Sequence, residues 1–162
     1  MSRLTRGHSP GGRWVLAYAV VPLTAAGAAS VLAFVDPFRV TLWPVRPVGT
    51  LLTAAGVALG AWTAATFRRM GETLSPVADP RQLVTAGPLA YTRNPLYLAV
   101  VTACLGIAGL AGSPVALGYA AALWLAYHVV VVTVEEPKLR EAFGGAFDRY
   151  CERVPRWLPH PR

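Results

Sequence analysis

Long stretches without charged side chains alternate with short polar segments along this chain of 162 residues. The first charge-free stretch covers residues 14–35, and the second covers residues 47–67. An α-helix rises about 1.5 Å per residue, so about 20 apolar residues cross the hydrocarbon layer of a bilayer. Each stretch therefore predicts one transmembrane helix, and the prolines within residues 36–46 predict a loop between the two.

A third stretch, residues 94–134, contains no acidic or basic side chain except His128. A single helix of this length would extend about 61 Å, twice the thickness of the hydrocarbon layer. We therefore expect two transmembrane helices, 95–111 and 114–134, that fold back on each other. Small residues and a proline supply the turn between them: Gly109, Gly112, Ser113 and Pro114.

The tail, residues 135–162, carries apolar side chains at helical spacing: Leu139, Phe143, Phe147, Tyr150 and Val154. Charged side chains fill much of the rest, which predicts an amphipathic helix at the membrane surface, with Gly144 and Gly145 weakening or bending its middle. The predicted fold class is all-α: a polytopic integral membrane bundle of four transmembrane helices followed by this C-terminal amphipathic cytoplasmic helix. We expect one domain over residues 1–162, with residues 1–13 as a leader and residues 68–94 as a cytoplasmic loop.

Two local features have competing interpretations. A cleaved signal peptide is the alternative to a first transmembrane helix, but the apolar run continues well past the small residues that resemble a cleavage site. Gly56 and Gly60 form a small-xxx-small pair that lets another helix approach closely. We favour a packing face within the chain over a dimer contact for this pair. The sequence does not define an oligomeric state.

Composition and charge agree with a membrane protein. Hydrophobic residues make up 54% of the chain and charged residues 14%, and the net charge is +7. Three basic residues precede the first apolar stretch, four lie in residues 68–94 and six in the tail, so thirteen of the fifteen are on one side of the predicted membrane. The positive-inside rule then predicts that both termini are cytoplasmic, and no nucleic-acid partner is needed to explain the charge.

The two cysteines, Cys104 and Cys151, have neither the spacing of a metal site nor that of a disulfide framework. We therefore expect no metal site. A buried small apolar residue and a partly covered thiol are the favoured interpretations.

Candidate chemistry lies at the cytoplasmic ends of the third and fourth predicted helices. Arg93 is at the start of the third, and Glu135 and Glu136 follow the fourth. Paired carboxylates repel each other unless a cation or hydrogen-bond donor lies nearby, and a bound cation would satisfy them. Taken alone, Arg93 is typical of a side chain that reaches the membrane surface, and Tyr97 of an interfacial aromatic.

His128 precedes Glu135 by seven residues, so in a regular helix both side chains project from nearly the same side. Two interpretations remain open for His128. One is a neutral histidine that is hydrogen-bonded inside the bundle, which we favour, and the other is a proton acceptor in a cavity.

Two segments together resemble a known family. LVTAGPLAYTRNPLY (residues 83–97) and VEEPKLREAFGGAFDRYCERVPRWLP (residues 134–159) are similar to the isoprenylcysteine carboxyl methyltransferases and their relatives among membrane phospholipid methyltransferases. In these enzymes the first segment commonly reads Leu-Val-x-x-Gly-Pro-Tyr-x-x-x-Arg-His-Pro-x-Tyr. The second segment opens with a Glu pair and ends in a Val-Pro pattern. Two ordered motifs are more specific than either one alone.

The resemblance implies an S-adenosylmethionine-dependent methyltransferase of the membrane. Its acceptor would be apolar or membrane-dissolved: a prenylcysteine-like carboxylate, a lipid or a small thiol. The candidate catalytic residues are Arg93, His128 and Glu136. The positions implied to bind the cofactor are Arg81, Gln82, Leu83, Val84, Asn94, Pro95, Leu96, Tyr97 and Glu135.

Three positions depart from the family pattern. Asn94 replaces the usual His, Leu89 replaces a Tyr, and Val131 stands where the prenylcysteine enzyme holds its substrate with an Arg. These departures keep two alternatives open. One is a non-catalytic membrane scaffold or subunit that retains the family shell, and the other is a nicotinamide-dependent enzyme resembling the sterol reductases.

Overall fold

A computed structural model describes residues 13–40, 45–70 and 82–158, with side chains from Pro22 onward. Every element in these ranges is helical: α1 (Arg13–Val35), α2 (Arg46–Met70), a 3₁₀ turn (Gly87–Ala90), α3 (Pro95–Ala111), α4 (Pro114–Val130), a π-helical turn (Val131–Glu135), α5 (Glu136–Phe143) and α6 (Gly145–Arg153). The all-α prediction is confirmed for this part of the chain. The predicted leader before Arg13 and the predicted cofactor residue Arg81 lie outside the described residues.

Consecutive long helices run in opposite directions. The polar segments that connect them therefore lie at two opposite ends of the bundle. At one end, the loop after α1 contacts the α3–α4 turn, where Val40 N–H donates to the Gly112 carbonyl over 2.8 Å. At the other end, Gln82 Nε2 donates to the carbonyl of Met70 over 2.8 Å. The segment before α3 and the tail also meet at this second end, so both motif segments lie there.

Asp36, just after α1, caps the N-terminus of α4. Its carboxylate accepts hydrogen bonds from the Ser113 hydroxyl and from the N–H groups of Val115 and Phe38. These bonds, led by the one from Ser113, hold the pKa of Asp36 below its usual value. Capping satisfies backbone donors that a helix leaves open at its first turn, so Asp36 fixes α1 against the α3–α4 turn.

The α2–α3 contact is the largest between two helices, and it depends on glycines. A Cβ on Gly56 would lie 2.6 Å from both Ala103 N and Ala99 O of α3, so only glycine allows the two backbones to approach this closely. Gly106 of α3 meets α2 in the same way, at Thr53. The favoured interpretation of Gly56 as a packing residue within the chain agrees with this contact. A Cβ on Gly60 would instead make an ordinary 3.6 Å contact with Ala99.

The outer faces of the helices are apolar. Phe34 of α1 is 81% exposed, and Leu51 of α2 and Leu125 of α4 are 69% and 56% exposed. Two helices, Arg46–Met70 and Pro114–Phe143, are long and apolar enough to cross a bilayer, and only 17% and 22% of their most apolar windows is buried. Helices of a soluble core would be mostly buried, so these surfaces favour lipid as the surrounding medium. Pro22–Val35 and Pro95–Ala111 are shorter apolar helices.

The fourth helix does not stop at the predicted residue 134. It continues through the π-helical turn Val131–Glu135 into α5, as one helix from Pro114 to Phe143. A π-turn contains more residues than an α-turn, so the seven-residue spacing no longer aligns His128 with Glu135.

The predicted tail helix consists of two short helices. Gly144 separates α5 from α6 with a φ of +50°, a conformation that glycine adopts without strain. The spaced apolar residues of the tail nevertheless meet in one cluster with Leu83. Its members are Leu139, Phe143, Phe147, Tyr150, Cys151 and Val154.

We expect Gly56→Ala to destabilise the bundle relative to Gly60→Ala by about 1 to 3 kcal/mol, the usual cost of overpacking. Both substitutions raise helix propensity equally, so their difference isolates the α2–α3 contact. Unfolding of the two purified variants in detergent measures it. Equal stability of the two variants would contradict the close backbone contact.

Candidate functional site

The two motif segments are joined by a buried ionic cluster of Arg93, Glu136 and Arg156. Arg93 Nη1 lies 2.9 Å from Glu136 Oε1, and Arg156 Nε lies 2.6 Å from the same oxygen. A second bond, from Arg156 Nη2 to Glu136 Oε2 over 2.9 Å, makes the Arg156 contact bidentate. The side chains of Arg93 and Glu136 are only 13% and 11% exposed, so this pairing is largely shielded from water.

Burial alone would raise the pKa of Glu136, but the hydrogen bond from Arg156 and the charges of Arg93 and Arg156 outweigh it and lower the pKa. Arg93 also donates to Cys151 Sγ over 2.8 Å. Burial raises the pKa of the Cys151 thiol, so it accepts as a neutral group. Glu136 is thus the anionic centre of the cluster.

Residues 154–158, here named the tail strap, cross the start of α3. The N–H of Arg93 donates to the carbonyl of Pro155 over 3.0 Å. Asn94 Nδ2 and the Thr92 hydroxyl both donate to the carbonyl of Arg156, over 3.0 and 3.2 Å. The strap begins where α6 ends, because a proline at position 155 cannot continue a helix. Asn94, which stands in place of the family's His, therefore binds the backbone of the strap through its side chain.

Glu135 belongs to a different group of contacts. It accepts a hydrogen bond from the Tyr97 hydroxyl. The ring of Tyr97 stacks on Tyr127 with 4.4 Å between ring centres. Burial raises the pKa of Glu135, against the opposing effect of the Tyr97 hydrogen bond. The Tyr127 hydroxyl is buried, and it has no hydrogen-bond partner among the described residues.

His128 contacts the tail strap instead of Glu135. Trp157 Nε1 donates to His128 Nδ1 over 3.0 Å, and the ring of Trp124 stacks against His128. Nδ1 therefore carries no proton, and the imidazole has its proton on Nε2. This agrees with the favoured interpretation of a neutral, hydrogen-bonded histidine.

A pocket of about 440 Å³ opens between the segment that precedes α3 and helix α6. Leu83 and Thr85 line one side, and Arg149, Tyr150 and Arg153 line the other. The volume is within the range of small-molecule sites, roughly 300 to 1,000 Å³.

The predicted cofactor residues lie in two places at this end of the bundle. Leu83 lines the pocket, with the exposed Gln82 and the buried Val84 beside it in the chain. Asn94, Pro95, Leu96 and Tyr97 open α3, and Tyr97 reaches Glu135. Their chemistry fits S-adenosylmethionine, since a carboxylate accepts from hydroxyl and ammonium groups and an apolar pocket wall suits a nucleoside. Arg93 and Glu136 bind each other, not the pocket.

Sequence reasoning missed three participants, all in the tail: Arg156, Trp157 and Cys151. The Val-Pro pattern was the available signal, because it marks the end of α6. The contacts of the strap could not be assigned from spacing alone, since the strap is irregular backbone held by residues that are distant in sequence.

Residues 45–146 match the family model described as phospholipid methyltransferase. The match spans well over half of the chain and includes both Glu135 and the first motif, and it confirms the resemblance drawn from the sequence. No curated protein gives a significant match.

Glu136→Gln is expected to destabilise the fold by about 3 kcal/mol, because it leaves buried Arg93 without a counter-charge. The matched control is Asp148→Asn, which breaks the exposed pair with Arg140, whose side chains are both 52% exposed. The control should cost less than about 1 kcal/mol.

The stability of the fold should also depend on pH through Glu136. Since the pKa of Glu136 is lowered in the fold, its contribution to the free energy of unfolding is complete above the unfolded carboxyl pKa and is lost as pH falls through the folded value. Unfolding at several pH values measures both effects, and equal losses for the two variants would refute the central role of Glu136.

Proposed function

Because the chain belongs to the phospholipid methyltransferase family, we propose that it is an integral membrane enzyme that transfers a methyl group from S-adenosylmethionine to an apolar or membrane-dissolved acceptor. The observation that carries this proposal is the meeting of the two motif segments at one end of an apolar bundle. Arg93 pairs with Glu136 there, and Tyr97 with Glu135. A non-catalytic shell would have no need to keep a half-buried carboxylate such as Glu135 at the same end of the bundle as a pocket of ligand size.

In the proposed topology four helices span the membrane and both termini are cytoplasmic. Support comes from the alternating direction of α1 to α4, their exposed apolar faces and the distribution of basic residues. The motif end of the bundle would then face the cytoplasm, where S-adenosylmethionine is available.

Leu83 and Val84 would hold the nucleoside part of the cofactor, and Asn94, Pro95, Leu96 and Tyr97 would form a second wall. Glu135 would accept hydrogen bonds from hydroxyl or ammonium groups, which compensates the cost of burying its carboxylate. S-adenosylmethionine supplies an electrophilic methyl group when it is bound. The contribution of the chain would be to fix donor and acceptor relative to each other, and such positioning accounts for roughly 7 to 11 kcal/mol in well-aligned reactions.

The state of His128 bears on the acceptor. While Trp157 donates to Nδ1, the imidazole has no free lone pair to take a proton. A carboxylate or thiolate acceptor needs no base, whereas a hydroxyl or an ammonium group must lose a proton first. The docked strap therefore favours an acceptor that is already anionic.

Methyl-label transfer tests the activity. Purified protein, labelled S-adenosylmethionine and a total lipid and thiol extract should yield labelled product. Glu135→Gln should weaken cofactor binding by about 1.5 to 3 kcal/mol, the range for a hydrogen bond to a charged group. Glu141→Gln removes an exposed carboxylate of α5 and serves as the control, which should bind the cofactor normally. Absence of both transfer and cofactor binding in the unsubstituted protein would reject the function.

Thiol labelling of intact cells tests the topology. An impermeant reagent should label Phe38→Cys, which replaces a residue that is 70% exposed just after α1. It should not label Glu141→Cys, on the exposed side of α5, until the membrane is opened. The unsubstituted chain, with its two native thiols, gives the background. Labelling in the opposite order would invert the proposed orientation.

A further inference from the structure

The pocket beside α6 is lined by both apolar and basic residues. Leu83, Ala90 and Val154 are apolar lining residues, and Arg149 and Arg153 are its two basic lining residues. The ionic cluster of Arg93, Glu136 and Arg156 does not line it. The pocket is therefore built for a ligand that combines an apolar body with an anionic group.

Arg149 and Arg153 are four residues apart on α6, so they lie on the same face of the helix. Two guanidinium groups at this spacing can both donate to one anion. Ala146, in the first turn of α6, also lines the pocket, so the positive end of the helix dipole is close. No acidic side chain among the described residues forms a salt bridge with Arg149.

We propose that Arg149 and Arg153 form an anion subsite that binds the carboxylate of the methyl donor's amino-acid part. This inference rests on the proposed function. Leu83 connects the two, because it lines this pocket and also belongs to the first motif. A carboxylate and a lipid phosphate share the chemistry that two guanidinium groups recognise. The apolar lining residues favour the donor, since a headgroup phosphate at the membrane surface would require only the two charges.

Two ligands that differ by the anionic part separate the possibilities. S-adenosylhomocysteine carries the carboxylate, whereas methylthioadenosine has the same nucleoside and no amino-acid part. Calorimetry on the full-length protein in detergent measures both affinities for the unsubstituted chain and for the Arg149→Gln/Arg153→Gln double variant. Both arginines are exposed, so the fold should be retained, and thermal unfolding checks this. Arg69→Gln, at the exposed end of α2, controls for the loss of positive charge.

The double variant should lose at least about 10-fold in affinity for S-adenosylhomocysteine, the lower end for a hydrogen bond to a charged group, and keep its affinity for methylthioadenosine. The Arg69→Gln control should bind both ligands normally. An equal loss for both ligands, or no loss, would overturn the inference. So would unchanged S-adenosylhomocysteine affinity with weaker binding to vesicles containing anionic lipid, which would assign the arginines to a headgroup. If the unsubstituted protein binds neither nucleoside ligand, the proposed function itself fails.

Discussion

One carboxylate, that of Glu136, connects three parts of the chain that are remote in sequence. It lies at the start of α5, which continues the fourth helix, and it binds Arg93 before the third helix and Arg156 in the tail strap. An anion this deeply buried is stable only with cationic partners, and Arg93, whose side chain is 13% exposed, depends on it in turn. The segment before α3, the end of α4 and the strap therefore hold their positions jointly, and the pocket beside α6 depends on that arrangement.

The rest of the bundle relies on contacts of a different kind. Between α2 and α3 the backbones meet at Gly56 and Gly106, with few polar groups involved. In lipid the hydrophobic effect does not drive helices together, so close van der Waals contact of this type supplies the attraction. Asp36 fixes the far end by capping α4. Hydrogen bonds and ion pairs thus concentrate at the two ends of the bundle, and close van der Waals packing stabilises its middle.

Much of this arrangement was predictable from the sequence because the signals are local. The length of the charge-free run predicted a helical hairpin, and the glycines with Pro114 indicated the turn at Gly112, so the third helix was expected over about residues 95–111, as α3 is. The resemblance of two motifs predicted the family. The site was less predictable, because its contacts join distant segments. Nothing in the spacing indicates that Trp157 donates a hydrogen bond to His128 or that Arg156 binds Glu136. Of the implied cofactor residues that the structure describes, Leu83 alone lines the pocket.

The π-helical turn Val131–Glu135 affects how this chain should be aligned with others. Such a turn holds about one residue more than an α-turn, as though a single residue had been inserted. In a relative whose helix is a regular α-helix at this point, the spatially equivalent residue would be offset by one position in an ungapped alignment. Val131, which is 1% exposed, begins this turn, and by residue count it corresponds to the substrate-holding Arg of the prenylcysteine enzyme. In a comparison with such a relative, counting four residues back from the Glu pair would compare different faces of the helix, and a one-residue gap at this turn would restore the match.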